Sequence, residues 1–497
     1  MWALIAKVRV LQVLTRSDVT MPFDLARFRF SPFLLLAIAC SAPAESTDKP
    51  VTEPSGWADE LALPVAPDLN PDPHVIEVNV EARLGQAEFI SGKLTQVWTY
   101  NGGVPGPLLR GKAGDRLIVH FKNSLPEATS IHWHGLRIPN DMDGVPDQPY
   151  PPVAPGQSFD YSFVLPDPGT YWYHPHVASA EQLGNGLFGP LIVDDPNEPK
   201  GLGEEAVLVL SDIGLFDDGT LTPADSGGEF GTLFGREGTM MLVNGKVVPT
   251  LHVRPGLRQR WRIINAAKTR YFEMHLPGNQ FTRIGSDGGF IESPQVSDSV
   301  FLTPAQRADV IVEPQPAANA TQVALRWHAY DRGFGTAFNR PDEDIVRLDF
   351  VGDPVIAPPL PALHRDIPAP DTTNARAIDI SLTENQLADG TVVMGINGVP
   401  SWDAEPIMTP MGERQVWTVK NTFEWDHPFH MHGFFFQVLD VNGVAPAVRE
   451  WRDTVNVPVN GTVRFLVNFD ERPGMWMFHC HILDHADAGM MGMVHLH

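Results

Sequence analysis

One stretch near the C-terminus, Gly412-Glu-Arg-Gln-Val-Trp-Thr-Val-Lys-Asn421, has two earlier counterparts in the chain. They are Gly114–Asn123 (GDRLIVHFKN) and Gly256–Asn265 (GLRQRWRIIN). In all three copies, nine positions separate the glycine from the asparagine. The residues between them alternate in the manner of a half-buried β-strand. Each copy therefore predicts a turn followed by a strand.

The three strands follow turns that recur along the chain. Asn-Gly pairs, typical of tight turns, begin at Asn101, Asn244 and Asn397, which are 143 and 153 residues apart. No long amphipathic helix is evident between them, so the repeat predicts an all-β chain of three similar β-sandwich domains. We place the domains at residues 71–198, 199–352 and 376–497. A Pro-rich linker at 353–375 precedes the third.

Composition narrows the range of functions. The 497 residues are 43% hydrophobic and include 46 prolines and 43 glycines, which suits many short strands and turns. The net charge of −24, without any basic block, argues against nucleic-acid binding. There are only two cysteines, Cys40 and Cys480, so a disulfide framework and a four-thiolate zinc or iron–sulfur site are both excluded.

Residues 1–40 are predicted to contain a signal peptide, with Met21 as the expected start. Arg27 and Arg29 precede a short apolar run that ends in small residues before Cys40. Two outcomes stay open, because Ala-Ile-Ala-Cys40 resembles a lipoprotein box whereas Ala42-Pro-Ala44 offers an ordinary cleavage site. We therefore expect an exported protein of the bacterial periplasm or an outer-membrane lipoprotein, with residues 41–70 as a linker.

Ten of the 18 histidines lie in four short runs. The runs are His132-Trp-His134-Gly, His174-Pro-His176, His427-Pro-Phe-His430-Met-His432-Gly and His479-Cys-His481-Ile-Leu-Asp-His485. On a strand, residues two apart share a face, so most of these runs present paired imidazoles. Imidazole suits copper, zinc and iron. The first and third domains therefore carry the candidate ligands, and the middle domain carries none of the runs.

The last run also contains a thiol. If Cys480 lies on a strand, His479 and His481 point to the face opposite to it, so the three residues can serve two metal sites. His485 and Met490 follow Cys480 by five and ten residues, close enough to curl back toward the thiolate. Cysteine, histidine and a weak axial methionine are the ligands of a blue, electron-transfer copper. The competing interpretations are a loosely metal-binding tail and histidines that only pack a core.

The four runs, in this order, resemble the copper signatures of the multicopper oxidases, specifically three-domain bacterial laccase-like oxidases, over about residues 75–497. The resemblance implies three cupredoxin-like Greek-key domains and four copper ions. The type 1 copper would take His427, Cys480, His485 and axial Met490, and the type 2 copper would take His132 and His430. The two type 3 coppers would share the remaining six histidines, namely His134, His174, His176, His432, His479 and His481.

This resemblance also implies an enzyme that couples four one-electron oxidations of a reducing substrate to the reduction of dioxygen to water. We expect phenols or aromatic amines as substrates and a monomeric protein. The alternative is a metallo-oxidase of Cu(I), Fe(II) or Mn(II), and a third hypothesis is a non-catalytic copper-binding envelope protein. Residues 352–400 contain only Met394 and no Met-rich insertion of the copper-efflux type, which favours organic substrates.

Reduction of dioxygen consumes protons, and here the sequence departs from its relatives. Related bacterial oxidases carry a glutamate directly after the histidine that matches His485, and this chain has Ala486 there. A second acid of the family corresponds to Asp143, which is present and is our candidate catalytic carboxylate. Asp143 could instead only cap the turn before Gly144. The alternative is that Asp487, one position beyond Ala486, substitutes in part for the missing glutamate, although strand alternation would turn it to the opposite face.

Overall fold

The computed structural model describes residues 51–333, 340–387 and 391–497. The predicted signal peptide, with Cys40, lies outside these residues. The protein is nearly all-β, with 46% strand and 6% helix, as the repeat predicts. No helix of the described residues is long and apolar enough to cross a membrane.

The first domain consists of eight strands and a short helix. These are β1 (Val75–Ile90), β2 (Lys93–Tyr100), β3 (Leu109–Lys112), β4 (Arg116–Asn123), β5 (His132–His134), β6 (Ser158–Val164), β7 (Gly169–His174), α1 (Ser179–Gly184) and β8 (Gly189–Asp194). They form two four-stranded sheets in the orders β2-β1-β4-β6 and β3-β8-β7-β5. Buried side chains of both sheets, such as Val119 and Tyr171, belong to one core.

The described residues of the middle domain form eleven strands and one helix. These are β9 (Glu204–Ile213), α2 (Gly228–Phe234), β10 (Met240–Val243), β11 (Thr250–Val253), β12 (Gln259–Asn265), β13 (Phe272–His275), β14 (Phe281–Ser286), β15 (Gly289–Ser297), β16 (Ser299–Leu302), β17 (Arg307–Val312), β18 (Gln322–His328) and β19 (Glu343–Phe350). Its sheets have the orders β10-β9-β12-β17-β14-β15 and β11-β19-β18-β13-β16. Helix α2 lies in the connection between β9 and β10.

The third domain, over the part that the structure describes, has ten strands and one helix. These are β20 (Arg376–Gln386), β21 (Val392–Ile396), β22 (Ile407–Thr409), β23 (Arg414–Asn421), β24 (His427–Met431), β25 (Phe436–Val441), β26 (Thr454–Val457), β27 (Thr462–Asn468), β28 (Gly474–Cys480), α3 (Leu483–Asp487) and β29 (Met491–Leu496). Its sheets have the orders β21-β20-β23-β27-β25 and β22-β29-β28-β24-β26. The remaining helices are single 3-10 turns, at Asp59–Leu61, Asn140–Met142 and Ser401–Asp403.

The asparagine that ends each repeat has the same structural role in all three domains. Asn421 is fully buried, and its Nδ2 donates to the carbonyl oxygens of Trp425 (2.7 Å) and Val457 (3.1 Å). Its Oδ1 accepts the N–H of Phe423, two residues on. Asn123 and Asn265 make equivalent contacts. A buried amide that satisfies three backbone groups explains why the repeat ends in asparagine.

Candidate metal centres

Eight of the predicted ligand histidines come together between the first and third domains. In the first domain His132 on β5 pairs with His174 on β7, and in the third domain His430 on β24 pairs with His479 on β28. Across the boundary, the rings of His132 and His432 stack with centroids 3.8 Å apart. The eight buried residues are His132, His134, His174, His176, His430, His432, His479 and His481.

Most of these rings are anchored through one nitrogen. Nδ1 of His132 donates to the carbonyl oxygen of Asp143 (2.9 Å), and Nδ1 of His479 donates to that of Cys480 (2.8 Å). Nδ1 of His430 likewise donates to a backbone carbonyl oxygen, at 2.9 Å. Such bonds fix the tautomer and turn the Nε2 lone pair toward the centre of the cluster. Nε2 of His432 and Nε2 of His479 face each other at 3.2 Å.

The nitrogens left over are buried and lack hydrogen-bond partners. They include Nε2 of His132, His174, His176 and His430, Nδ1 of His134, and both ring nitrogens of His481. Burial, the largest effect, lowers the pKa of His174, His176 and His481 well below the usual value, so these imidazoles are neutral. Buried polar atoms normally find partners. A cluster of neutral imidazoles with free lone pairs therefore fits metal ions such as copper.

Asp143 lies inside this cluster and is 1% exposed. Its Oδ2 accepts a hydrogen bond from Nδ1 of His432 at 2.7 Å, and its Oδ1 lies 3.4 Å from Nδ1 of His132. Burial, the largest effect, would raise the pKa of Asp143, but the electrostatic attraction between its carboxylate and the facing rings of His432 and His132 outweighs it and holds the pKa well below its usual range. Asp143 therefore does more than cap a turn, because its carboxylate orients His432 and its backbone oxygen orients His132.

The second site lies within the third domain. His427, Cys480 and His485 are buried, and their ligand atoms lie within 4.8 Å of one another. Nε2 of His485 donates to the carbonyl oxygen of Leu233 (3.0 Å), which leaves its Nδ1 facing the sulfur of Cys480. Burial raises the pKa of the Cys480 thiol to about 12. A bound metal ion would deprotonate such a thiol outright.

Met490 is buried in the same core as Cys480. Its backbone oxygen accepts the N–H of Cys480 at 3.1 Å, so the chain does curl back beside the cysteine. Helix α3 makes this turn. It is followed by Gly489, whose φ of 110° lies in the left-handed region.

The strand alternation expected for Asp487 is wrong, because residues Leu483–Asp487 form helix α3. The carboxylate of Asp487 accepts the N–H groups of Ser179 (3.1 Å) and Ala180 (2.8 Å) at the start of α1. The side chain is thus occupied in joining α1 to α3. The sequence Leu-Asp-His-Ala-Asp-Ala followed by glycine is typical of a short helix that ends at a glycine. This pattern could have predicted a helix in place of a strand at Asp487.

Two features near the sites have no counterpart in the sequence-based prediction. Helix α2 of the middle domain lies over His485 through the Leu233 contact, and its only sequence signal is a glycine-rich segment, SGGEFGTLFG. Asp453 contacts His134 and His430 of the larger cluster. It follows a Trp-Arg pair, and no sequence motif there indicates a residue that contacts the ligands.

The geometry defines a protein with a cluster of eight histidines joined to a single-cysteine site. Three family models, each described as multicopper oxidase, match residues 81–198, 205–333 and 371–496. The chain belongs to the multicopper oxidase family. It is thus an oxidoreductase that uses copper, dioxygen and a reducing substrate. The cupredoxin-like fold expected from the sequence is confirmed.

Relatives match over four fifths of the chain or more. A multicopper oxidase of Mycobacterium tuberculosis, MmcO, is 32% identical and covers 94% of this chain and 96% of its own. A laccase of Bacillus subtilis is 28% identical, and the match covers 80% of this chain and 89% of the laccase. Among solved structures, a multicopper oxidase from Campylobacter jejuni, described as a metallo-oxidase, is 29% identical with a TM-score of 0.77. That match covers 88% of this chain and 94% of the other.

Proposed function

We propose that the protein holds four copper ions and reduces dioxygen to water with electrons from an aromatic reductant. The type 1 copper would be held by His427, Cys480, His485 and Met490, and the type 2 copper by His132 and His430. The type 3 pair is assigned to the other six histidines: His134, His174 and His481 on one copper, and His176, His432 and His479 on the other. When bound, the four coppers supply the one-electron chemistry of the reaction.

The observation that carries this proposal is the position of Cys480 between the two sites. Its sulfur faces His427 and His485. Its carbonyl oxygen accepts a hydrogen bond from Nδ1 of His479, at 2.8 Å. A short covalent and hydrogen-bonded path therefore joins the thiolate to the histidine cluster. Storage of copper needs no such path, so an oxidase is favoured over a non-catalytic copper-binding protein.

Asp143 has two roles in this proposal. It fixes His432 through a 2.7 Å hydrogen bond, and its Oδ1 has no hydrogen-bond partner although it is buried. We propose that this buried carboxylate also passes protons to the cluster, and that it is protonated only transiently because its pKa is held low. Asp487 is bonded to two backbone N–H groups of α1, which favours Asp143 over Asp487 as the carboxylate that compensates for the glutamate missing at Ala486.

An aromatic reductant is favoured by a row of rings that leads from the surface to His427. Phe230 on α2 is 74% exposed, and its ring stacks with that of Phe234 at 6.4 Å. The ring of Phe234 lies 5.0 Å from that of Trp425, which lies 6.2 Å from that of His427. Aromatic rings associate in offset or edge-to-face contacts at such separations. A phenol or aromatic amine could therefore bind beside α2.

The second candidate is oxidation of Cu(I), Fe(II) or Mn(II). One observation favours it: the outer edge of His485 is covered by the Leu233 carbonyl group, so only a small reductant could reach the imidazole directly. The relatives include both kinds of protein, the Bacillus subtilis laccase and the Campylobacter jejuni metallo-oxidase.

Dioxygen uptake with 2,6-dimethoxyphenol and with Cu(I), each with and without added Cu(II), separates these functions. We expect turnover of the phenol by the copper-loaded enzyme without added Cu(II). Phe230→Ala should raise the KM for the phenol and leave Cu(I) oxidation unchanged. Phe216→Ala, which removes another exposed ring of the middle domain outside α2, is the control. Turnover of Cu(I) alone would favour the metallo-oxidase, and no uptake with either would favour a binding protein.

We also propose that the protein is exported, to the periplasm or as an outer-membrane lipoprotein anchored at Cys40, and that it acts as a monomer. The support for export is the basic, apolar and small-residue order of residues 21–40. Labelling of cells with a radioactive fatty acid distinguishes the two destinations, because only the lipoprotein retains label, and Cys40→Ser should remove it.

A further inference from the structure

Among the described residues, the middle domain supplies no histidine to either metal centre, yet one of its side chains reaches the larger cluster. Arg307 is the first residue of β17 and is completely buried. Its guanidinium group binds the Asp453 carboxylate of the third domain through two parallel bonds. These join Nη1 to Oδ1 at 2.8 Å and Nη2 to Oδ2 at 2.5 Å. This bidentate geometry is specific to arginine.

Asp453 in turn contacts two predicted ligands, one from the first domain and one from its own, third domain. Its Oδ1 lies 3.3 Å from Nε2 of His134, in the first domain. Its backbone oxygen accepts the Nδ1 hydrogen of His430, in the third domain, at 2.9 Å. The orientation of both imidazoles therefore depends on the position of a single aspartate.

Arg307 is itself held in one conformation. Its Nε donates to the backbone carbonyl oxygen of Thr170 (2.9 Å). Its Nη2 donates to the backbone carbonyl oxygen of Asp287 (3.0 Å). Thr170 lies on β7, the strand that ends in His174. The guanidinium group thus fixes the strand that carries one ligand as well as the aspartate that orients two others.

Gly135, directly after His134, makes room for this ion pair. Its φ is +87°, in the left-handed region. A Cβ atom at this position would lie 2.3 Å from Nη2 of Arg307 and 2.6 Å from Oδ2 of Asp453. Any side chain would therefore displace the pair. The glycine of the His-Trp-His-Gly run, the arginine and the aspartate come from three different domains and meet at one point.

We infer that Arg307 is a positioning residue for the type 2 and type 3 copper sites, acting through Asp453 on His134 and His430. The middle domain, which holds no copper ligand, is thereby required to assemble the centre. This inference rests on the proposed assignment of the coppers.

The test compares Arg307→Lys, which keeps the charge but loses the bidentate geometry, with Arg270→Lys. Arg270 is equally buried in the same domain and is paired with the buried Asp212, but it touches none of the assigned ligands. Copper content, the type 2 EPR signal and the blue absorption band are measured on each full-length protein. Loss of such a supporting contact typically weakens metal affinity about 10–100-fold. We expect Arg307→Lys to lose the type 2 signal and part of its copper while keeping the blue band.

Gly135→Ala provides a second route to the same defect, so the inference does not depend on one variant being stable. It should also lose the type 2 signal, whereas Arg270→Lys should keep it. Full copper content with an unchanged type 2 signal in both Arg307→Lys and Gly135→Ala would overturn the inference. An equal loss in Arg270→Lys would overturn it too, because the effect would then be general destabilisation. A wild-type chain without a type 2 signal would contradict the proposed function, whereas the first two results would leave that function intact.

Discussion

The sulfur of Cys480 lies 3.6 Å from Nδ1 of His485, although the two residues belong to different elements. Cys480 is the last residue of β28 and His485 lies in the middle of α3. The turn between them folds the chain back on itself, and the N–H of Ile482 points at the same sulfur from 3.4 Å. An N–H directed at a thiolate stabilises its negative charge. The local fold therefore prepares Cys480 to bind a metal ion as a thiolate.

Cys480→Ser should abolish the blue absorption and turnover while leaving a folded protein that still binds copper at the histidine cluster. The reason is that Cys480 is the only thiol of the chain apart from Cys40. Absorption spectra and copper content of the purified variant check this, with Cys40→Ser as the control. Blue colour remaining in Cys480→Ser would show that the sulfur is not the type 1 ligand.

Met490→Leu should keep activity and raise the reduction potential of the type 1 copper, because the axial ligand tunes the potential of these sites. Redox titration of the blue band measures the change. Met394→Leu is the control, since Met394 is equally buried in the same core. An unchanged or lower potential in Met490→Leu would mean that this methionine is not the axial ligand.

Asp143→Asn should leave anaerobic reduction of the blue copper by substrate fast and slow its reoxidation by dioxygen about 100-fold or more. The amide can still contact His432 but cannot carry a proton in the same way. Stopped-flow measurement of the two half-reactions separates the effects. Asp141→Asn, at an exposed position two residues earlier, serves as the control. Reoxidation at the wild-type rate would leave Asp143 with an orienting role only.

Arg236→Gln should loosen helix α2, which lies over His485, and so make the His485 ring more accessible to substrates. Arg236 pairs with Asp484 on α3 (2.5 Å) and donates to the carbonyl oxygens of Ser226, just before α2, and Gly228, the first residue of α2. We expect kcat/KM for a bulky phenol to rise several-fold and that for Cu(I) to stay constant. Steady-state kinetics with both substrates check this, with Arg258→Gln as a control elsewhere in the middle domain. Equal changes for both substrates would show that α2 does not select substrates by size.

The sequence could predict the elements whose signals are local. Alternation along a strand placed His479 and His481 opposite Cys480, and the repeated asparagines marked the three domains. It could not predict the pairing of Arg307 with Asp453, because these residues are 146 positions apart and meet only when two domains dock. Helix α2 escaped prediction because its seven residues include two glycines and lack an amphipathic period. Asp487 was assigned to the wrong kind of element because α3 is only five residues long.

Copper analysis combined with quantitative EPR of the holoenzyme tests the central claim most directly. The assigned ligands predict four copper ions per chain. Two of them, type 1 and type 2, should be visible by EPR, while the coupled type 3 pair should be silent. Cys480→Ser should remove the type 1 signal alone. A single copper per chain, or a type 1 signal that persists in Cys480→Ser, would contradict the account.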